Sequence, residues 1–509
     1  MLFPIAPVSA RSEDPAFVMC DSGEQVSFAQ LETRANQVAH ALRHLGVGRG
    51  HHVAFLMRNH RRLIEACFGA DRAGVYYTTI NTRLLAQEIA FIVQDSGAKA
   101  LIVSADLAEL ALAVRKHLPP DLPCLAFDGL VPGFDPWERL VDHLPATPIS
   151  DGGQGLDMLY SSGTTGRPKG VKWPMPDQAA GGRTMLVQLL GPLFDYHAGC
   201  RYLSPAPLYH AAPLRHSMTV IKLGGCAFIM GRFDAEQALD LIERHRITHS
   251  QWVPTMFVRM LKLPESVRQG YDLSSMRIAI HAAAPCPIDI KRQMLDWWGP
   301  ILHEYYAGTE NNGFCSITPQ EWMAHPGSVG RASQGRLHIV DDEGHELTAG
   351  QTGLVYFSDG PQFEYHNDPE RTARSRHPLG WTTLGDIGRI DDEGYLYLVD
   401  RKAFMIISGG VNIYPQEIED VLIAHPAVAD VAVIGVPHDD LGEAVKAVIQ
   451  PVPSAQPGAA LIDELMAFCR ARLADFKCPR SIDFDPDLPR QPTGKLFKQK
   501  LRDRYWTSG

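Results

Sequence analysis

Between residues 24 and 104 the apolar positions switch repeatedly between helical spacing and short unbroken runs. Phe28, Leu31, Ala35, Val38, Ala39 and Leu42 recur at helical intervals, and Ser27 with Gln30 three residues later forms a capping box in front of them. "HHVAFLM" (51–57) then predicts a strand, 61–73 and 84–96 predict helices, and "ALIVS" (100–104) predicts another strand. Continuous apolar strands between amphipathic helices indicate a parallel sheet covered on both faces. The rhythm returns at 201–205, 226–230 and 277–281, with no internal repeat of solenoid length.

From 336 to 400 the period falls to two. "RLHIVDDEGHELTAGQTGLVYFS" and "IGRIDDEGYLYLVD" read as strand–turn–strand, with Asp-Glu-Gly turns between alternating apolar residues. After "DRKAFMIISGG" (400–410) a compact tail begins. Pro415 opens a helix with Ile418, Val421 and Leu422 on one face. "VADVAVIGV" (428–436) and "EAVKAVIQ" (443–450) predict strands, and 460–474 predicts a helix with Ile462, Leu465, Met466, Cys469 and Leu473 on one side. The tail reads as a separate α+β domain, which divides the chain into 1–402 and 403–509.

A chain of 509 residues exceeds one ordinary core, in keeping with that division. Its 45% hydrophobic and 21% charged residues exclude a mainly disordered protein. Net charge is −10 and no long Lys/Arg run occurs, so a nucleic-acid partner finds no support. The nine cysteines are scattered, without a C-x-x-C or a zinc-like spacing, and read as reduced thiols in a reducing compartment. The first residues, "MLFPIAPVSARSEDP", lack the basic and apolar regions of a signal peptide, and no apolar run is long enough to span a bilayer. Cytoplasm is the default location and a homodimer the default assembly.

The chemistry starts at "MLYSSGTTGRPKGVKW" (158–173). Ser161, Ser162, Gly163, Thr164, Thr165 and Gly166 leave backbone N–H groups uncovered and add hydroxyl donors, the groups a polyphosphate needs, and Lys169 adds a point charge. A Walker loop would end G-K-[ST]. Here Arg167 and Pro168 separate the last loop glycine from the lysine, and Gly170 follows it. Pro168 also disfavours direct entry into a helix. Taken alone, the segment is equally well a small-residue surface loop.

Residues 158–173 resemble the phosphate loop of the AMP-forming acyl-CoA synthetases, part of the adenylating superfamily that includes luciferase and peptide-synthetase adenylation domains. Four further segments resemble that family in the same order along nearly the whole chain: "EYYAGTENNG" (304–313), "GWTTLGDIGRID" (380–391), "DRKAFMIISGGVNIYPQEIE" (400–419) and "PRQPTGKLFKQKLR" (489–502). The resemblance implies an α/β fold: a large N-terminal domain of mixed and parallel sheets with a small β-barrel-like subdomain, and a small mobile α+β C-terminal domain. It implies ATP and CoA as co-substrates, Mg²⁺ as cofactor and a small carboxylic acid as partner. The loop would hold and release a β,γ-pyrophosphate, whereas a Walker loop serves transfer of the terminal phosphoryl group.

The same resemblance implies roles for single residues. Thr309 matches a phosphate-contacting Thr and Glu310 a Mg²⁺-binding Glu, with Thr165 a second metal contact. Tyr306, Ala283, Ala284 and Pro285 fall in the adenine segments. Asp386 matches the acceptor for both ribose hydroxyls, and Arg401 an Arg near ribose and α-phosphate. Lys495 matches the lysine that bridges carboxylate and α-phosphate where negative charge develops. Ala403 stands at the hinge; Gly409 and Gly410 match the segment lining the thiol tunnel; Lys477 lies where relatives meet CoA. His210 matches a position at the mouth of the acyl pocket. Against each stands a plainer possibility: a turn carboxylate for Glu310 and Asp386, a surface ion pair for Arg401, a tail lysine for Lys495, a simple turn for 409–410 and a core histidine for His210.

The chain also departs from the family pattern. Where G-G-A-P is usual it has Ala282-Ala283-Ala284-Pro285, where Y-G-x-T-E is usual it has Ala307, and Ala403 replaces a hinge Asp or Lys. No charged catalytic group is lost. The leading expectation is a carboxylate–CoA ligase for a medium-to-long, alicyclic or aromatic acid. The alternatives are an adenylating enzyme that passes its acyl group to a carrier protein or an amine, and a nucleotide-binding protein without turnover.

Overall fold

The computed structural model describes residues 12–162, 168–177, 184–490 and 496–506. They form two compact units. The first comprises 1–252, 262–280 and 362–372, and the second 253–261, 281–361 and 373–509.

In the first unit one sheet runs Asp135–Pro136, Cys124–Phe127, Ala98–Ser104, His52–Leu56, Tyr76–Thr79, Leu156–Asp157, with parallel pairing throughout. His52–Leu56 is buried at every residue, as a strand covered on both faces must be. Leu56, Leu101 and Val103 pack with Ile89, Val93 and Val114 of the flanking helices. A second sheet carries Cys226–Ile229 between Pro15–Met19 and Arg201–Ser204, both parallel to it. The helix Phe28–His44 begins at the predicted capping box: Gln30 N donates to Ser27 Oγ, and Ser27 N donates back to Gln30 Oε1.

In the second unit Leu302–Tyr306, Phe314–Ile317 and Arg331–Gln334 form an antiparallel ladder. A four-stranded antiparallel sheet runs Arg336–Val340, Gly353–Ser358, Thr382–Ile390, Leu396–Arg401. Leu396 also bridges to Gly330, so the two ladders meet around Cys315, Val329, Ile339, Val355, Phe357 and Leu396. This is the barrel-like element that the sequence implied.

Further along, the long pair Val428–His438 and Gly442–Pro451 packs against Pro415–Ile423 and Ala459–Arg470 through Ile418, Leu422, Val431, Leu465 and Cys469. The helix Ala459–Arg470 is shorter than expected. It stops at Arg470, and its buried line is Leu461, Leu465 and Cys469, while Ile462 and Met466 are only partly covered. Spacing of four puts those three residues on one stripe, which is buried in the core of this region, with Ile462, Met466 and Leu473 packed against the same core.

No described helix is long and apolar enough to cross a membrane. All nine cysteines are free thiols and seven are buried.

Candidate active site

In the first unit the candidate phosphate loop lies between two antiparallel strands, Leu159–Ser162 and Pro168–Lys172, with Ser161 opposite Lys169 and Ser162 opposite Pro168. Gly163, Thr164, Thr165 and Gly166 lie outside the described residues, as does the side chain of Ser162. Ser161 Oγ is buried with no protein hydrogen-bond partner among the described residues. Lys169 Nζ donates to the Tyr365 hydroxyl at 3.1 Å and sits 4.5 Å from the centre of that ring. Tyr365 belongs to Glu364–Tyr365, which pairs with Pro168–Lys172 at Val171 and Lys172. A methyl at Gly170 would meet Tyr160 Cζ at 2.9 Å, so the residue after the lysine is small for a packing reason.

His210 precedes the helix Ala211–Lys222. Burial pushes its imidazole down to about 3, so it is neutral near pH 7, and Nε2 has no hydrogen-bond partner among the described residues. Trp252 is fully buried, with its indole N–H donated to Ser250 Oγ at 2.7 Å.

In the second unit Asp386 is the centre. Its Oδ2 accepts from the Tyr306 hydroxyl at 2.6 Å and its Oδ1 accepts from Arg401 Nε at 2.9 Å. The carboxylate is buried, and each oxygen keeps a lone pair beyond the bonds named. Asp386 raises the pKa of the Arg401 guanidinium further, and burial followed by Asp386 drives the Tyr306 phenol well above its usual range.

After Tyr306 the chain turns through Gly308–Asn311, where Asn311 N donates to Gly308 O at 3.1 Å and Asn311 takes φ +47°. Asn312 Nδ2 then donates to Thr382 O, which ties the turn to the strand carrying Asp386. Glu310 is 5% exposed. A methyl on Gly308 would approach Leu384 Cδ1 to 2.3 Å and Glu310 Oε2 to 2.8 Å. No group of three or more His, Cys, Asp or Glu side chains suited to a metal ion occurs among the described residues. A buried carboxylate such as Glu310 is suited to Mg²⁺, which takes one or two carboxylates and completes its shell with phosphate oxygens and water.

The Ala-Ala-Ala-Pro segment carries its departure in the backbone. Ala283 adopts φ +75°, the left-handed region that glycine enters freely and alanine does not. It is also exposed, so the added methyl meets solvent there.

Towards the C-terminus, Ala403 sits exposed in the short turn Lys402–Phe404. The connector is held on either side of it: Lys402 Nζ meets Asp342 at 2.6 Å, and Asp400 Oδ2 accepts from Gln416 N at 3.1 Å. Gly409 and Gly410, at φ +58° and +83°, form the two-residue turn between Ile406–Ser408 and Val411–Ile413. That turn type needs positive φ at both positions. Lys477 Nζ is bonded to both carboxylate oxygens of Glu417, at 2.8 and 2.7 Å. Lys495 lies outside the described residues. Its flanks are close together, with Arg490 bridged to Leu496 and Phe497 N donating to Pro489 O.

Two partners in this arrangement are not marked by any sequence signal: Tyr365, distant in sequence from Lys169, and the buried pair Lys291–Glu304, Nζ to Oε2 2.6 Å.

The chain belongs to the AMP-binding enzyme family. The family model matches residues 6–363, and the model for the AMP-binding enzyme C-terminal domain matches 417–495. The chain is 33% identical over 509 residues to the long-chain-fatty-acid–CoA ligase FadD13 of Mycobacterium tuberculosis, covering 99% of this chain and 98% of that one. It is 32% identical over 505 residues to a feruloyl-CoA synthase of an Amycolatopsis species, covering 97% of each. Its fold matches the crystal structure of the anthranilate CoA ligase AuaEII in complex with anthranoyl-AMP, with a TM-score of 0.85, 28% identity, and 99% of this chain and 96% of that one covered.

Proposed function

We propose that the protein is an AMP-forming carboxylate–CoA ligase. A carboxylate oxygen attacks the α-phosphorus of ATP, the bond to the β,γ-pyrophosphate breaks, and an acyl-adenylate forms. The sulfur of CoA then attacks the acyl carbonyl, AMP leaves with the bonding electrons, and the thiol proton is lost to solvent. Asp386 accepts the ribose hydroxyls while Tyr306 and Arg401 hold its carboxylate in place. The 161–166 segment and Lys169 bind the departing pyrophosphate. Glu310 and Thr165 would hold Mg²⁺, which supplies charge compensation to the phosphates when bound. Lys495 bridges the carboxylate and the α-phosphate during adenylation. His210, neutral at working pH, contributes shape and a hydrogen bond at the mouth of the acyl site.

Residues 403–509 act as a mobile domain turning about Ala403, with Gly409 and Gly410 lining the path of the thiol in the second orientation. The substrate is a medium-to-long, alicyclic or aromatic acid. The reaction takes place in the cytoplasm.

The observation that carries this reading is Asp386: a buried carboxylate gripped from two sides with acceptor capacity to spare. The deciding experiment is a panel of fatty, alicyclic and aromatic acids with ATP, Mg²⁺ and CoA, with AMP and acyl-CoA read together by mass. AMP with acyl-CoA for one acid class is expected. AMP or enzyme-bound acyl-adenylate without acyl-CoA would move the acceptor to a carrier protein or amine, and ADP would overturn the reading. With an acid in hand, Lys495→Ala should abolish adenylation and spare thioester formation from supplied acyl-adenylate.

A further inference from the structure

Behind the nucleotide segments of the second unit lies an ion pair with no part in the chemistry above. Lys291 is fully buried, and its Nζ meets Glu304 Oε2 at 2.6 Å. The same ammonium lies 4.7 Å from the centre of the Trp322 ring, which covers its remaining side. His281 is fully buried too. Its Nε2 is 3.5 Å from Glu304 Oε2, and neither ring nitrogen has a hydrogen-bond partner among the described residues.

A buried pair of this kind is a poor device for stability. Desolvating two charges offsets most of their attraction, and well-packed apolar residues serve a core as well or better. What a pair held by charge and hydrogen bond does supply is a fixed distance between the segments that carry it. Here both segments lead into the nucleotide residues. Lys291 is in the first turn of Ile288–Trp298, joined through Cys286 and Pro287 to Ala282–Pro285, and Lys291 N donates to Pro287 O at 3.0 Å. Glu304 lies in Leu302–Tyr306, two residues before Tyr306 and on the same face of the strand. Tyr306 in turn holds Asp386.

We propose that Lys291 and Glu304 are positioning residues, which set the spacing of 282–285 from Tyr306 and so tune affinity for the adenine nucleotide. The proposal rests on the reading of those segments as nucleotide contacts. His281 belongs to the same device: it lies directly before Ala282 and shares the carboxylate's enclosure.

The test uses the full-length enzyme with AMP and MgATP as probes, so that no acid need be known. Lys291→Met, Glu304→Gln and the double variant Lys291→Met/Glu304→Leu are compared for unfolding midpoint and for nucleotide Kd by calorimetry. Each single variant leaves an unpaired buried group and should lose both stability and affinity. The double variant removes both charges. It should regain the wild-type midpoint while its Kd for AMP stays at least tenfold weaker.

Recovery of both midpoint and affinity in the double variant would show that the pair only fills the core, and would overturn the proposal. Where a single variant fails to fold, the double variant alone decides. Asp386→Ala is the reference that separates the two levels. If the wild type binds AMP and this variant binds it equally well, the nucleotide reading has failed, and the positioning role fails with it. If Asp386→Ala abolishes binding and the double variant binds like the wild type, only the positioning role has failed.

Discussion

Asp386 and Arg401 face each other across neighbouring antiparallel strands, and the guanidinium Nε reaches the carboxylate Oδ1 at 2.9 Å. The pairing is a consequence of register: Asp386 on Thr382–Ile390 is opposite Arg401 on Leu396–Arg401. Tyr306 closes the other side of the same carboxylate. A group fixed in this way can accept from a ligand without reorganising. Hydrogen bonds to a charged acceptor contribute roughly 1.5–3 kcal/mol each. With both ribose hydroxyls bonded, Asp386→Ala should therefore weaken ATP binding by at least about 100-fold. The wild type should also prefer ATP to 2′-deoxy-ATP, and the variant should not. A variant that keeps the preference would mean another residue reads the ribose.

Ala283 occupies a backbone position that suits glycine. Left-handed backbone costs an L-residue about 1–2 kcal/mol, and the extra unfolded-state entropy of glycine returns roughly 0.5–1 kcal/mol of that. Ala283→Gly should thus be neutral to about 1 kcal/mol stabilising in chemical denaturation. A destabilised variant would show that the methyl makes a contact worth more than the strain.

Lys477 is bound to both oxygens of Glu417, with both side chains partly open to solvent. If Lys477 serves CoA, it must exchange a carboxylate for a phosphate. Glu417→Gln should then lower KM for CoA several-fold and Lys477→Ala should raise it, with ATP–pyrophosphate exchange unchanged in both. An unchanged KM for CoA in both variants would confine the pair to joining the Asp475–Lys477 turn to the helix Pro415–Ile423.

His216 is buried, its Nδ1 is 2.7 Å from the Tyr196 hydroxyl, and burial holds its pKa down to about 3. In the unfolded chain it titrates near 6.5. Between these values the unfolded state binds the extra proton. Stability should fall as pH drops below about 6.5, by about 1.4 kcal/mol per pH unit for this one group, until pH nears 3. His216→Gln should flatten the dependence of the unfolding free energy on pH by that slope. An identical slope in the variant would assign the acid sensitivity to other groups.

Local patterns carried much of the fold. The capping box at Ser27 and Gln30 is a rule spanning four residues, and both of its hydrogen bonds are present. Apolar runs such as 52–56 became parallel strands because an uninterrupted run has no polar face to turn outward. The helix Ala459–Arg470 turns the expected side to the core: Leu465 and Cys469 are buried in it and Ile462, Met466 and Leu473 pack against it, while Leu461, one step round the helix, adds a contact that spacing alone did not single out.

Within the site, residue types were legible and partners were not. Nothing near Glu364–Tyr365 indicates that it pairs beside Lys169, a contact 196 residues away. Lys291, set between Ile290 and Arg292, reads as an ordinary helix cation until the fold encloses it. The φ of Ala283 leaves no trace in its side chain.

On the function proposed above, the segment between the antiparallel strands Leu159–Ser162 and Pro168–Lys172 holds the pyrophosphate. The dipoles of neighbouring antiparallel strands cancel, so these two strands add no macrodipole to the pull on an anion there. From this strand pair the attraction comes from short-range donors and from Lys169, whose charge salt screens. On the proposed function, such a grip would be stronger for a nucleotide also held by its ribose than for a free diphosphate. Once the α–β bond is cut, the two fragments no longer share that anchor. Under the proposed function, the small fragment would then depart first, and the flanking strand pair would favour forward commitment.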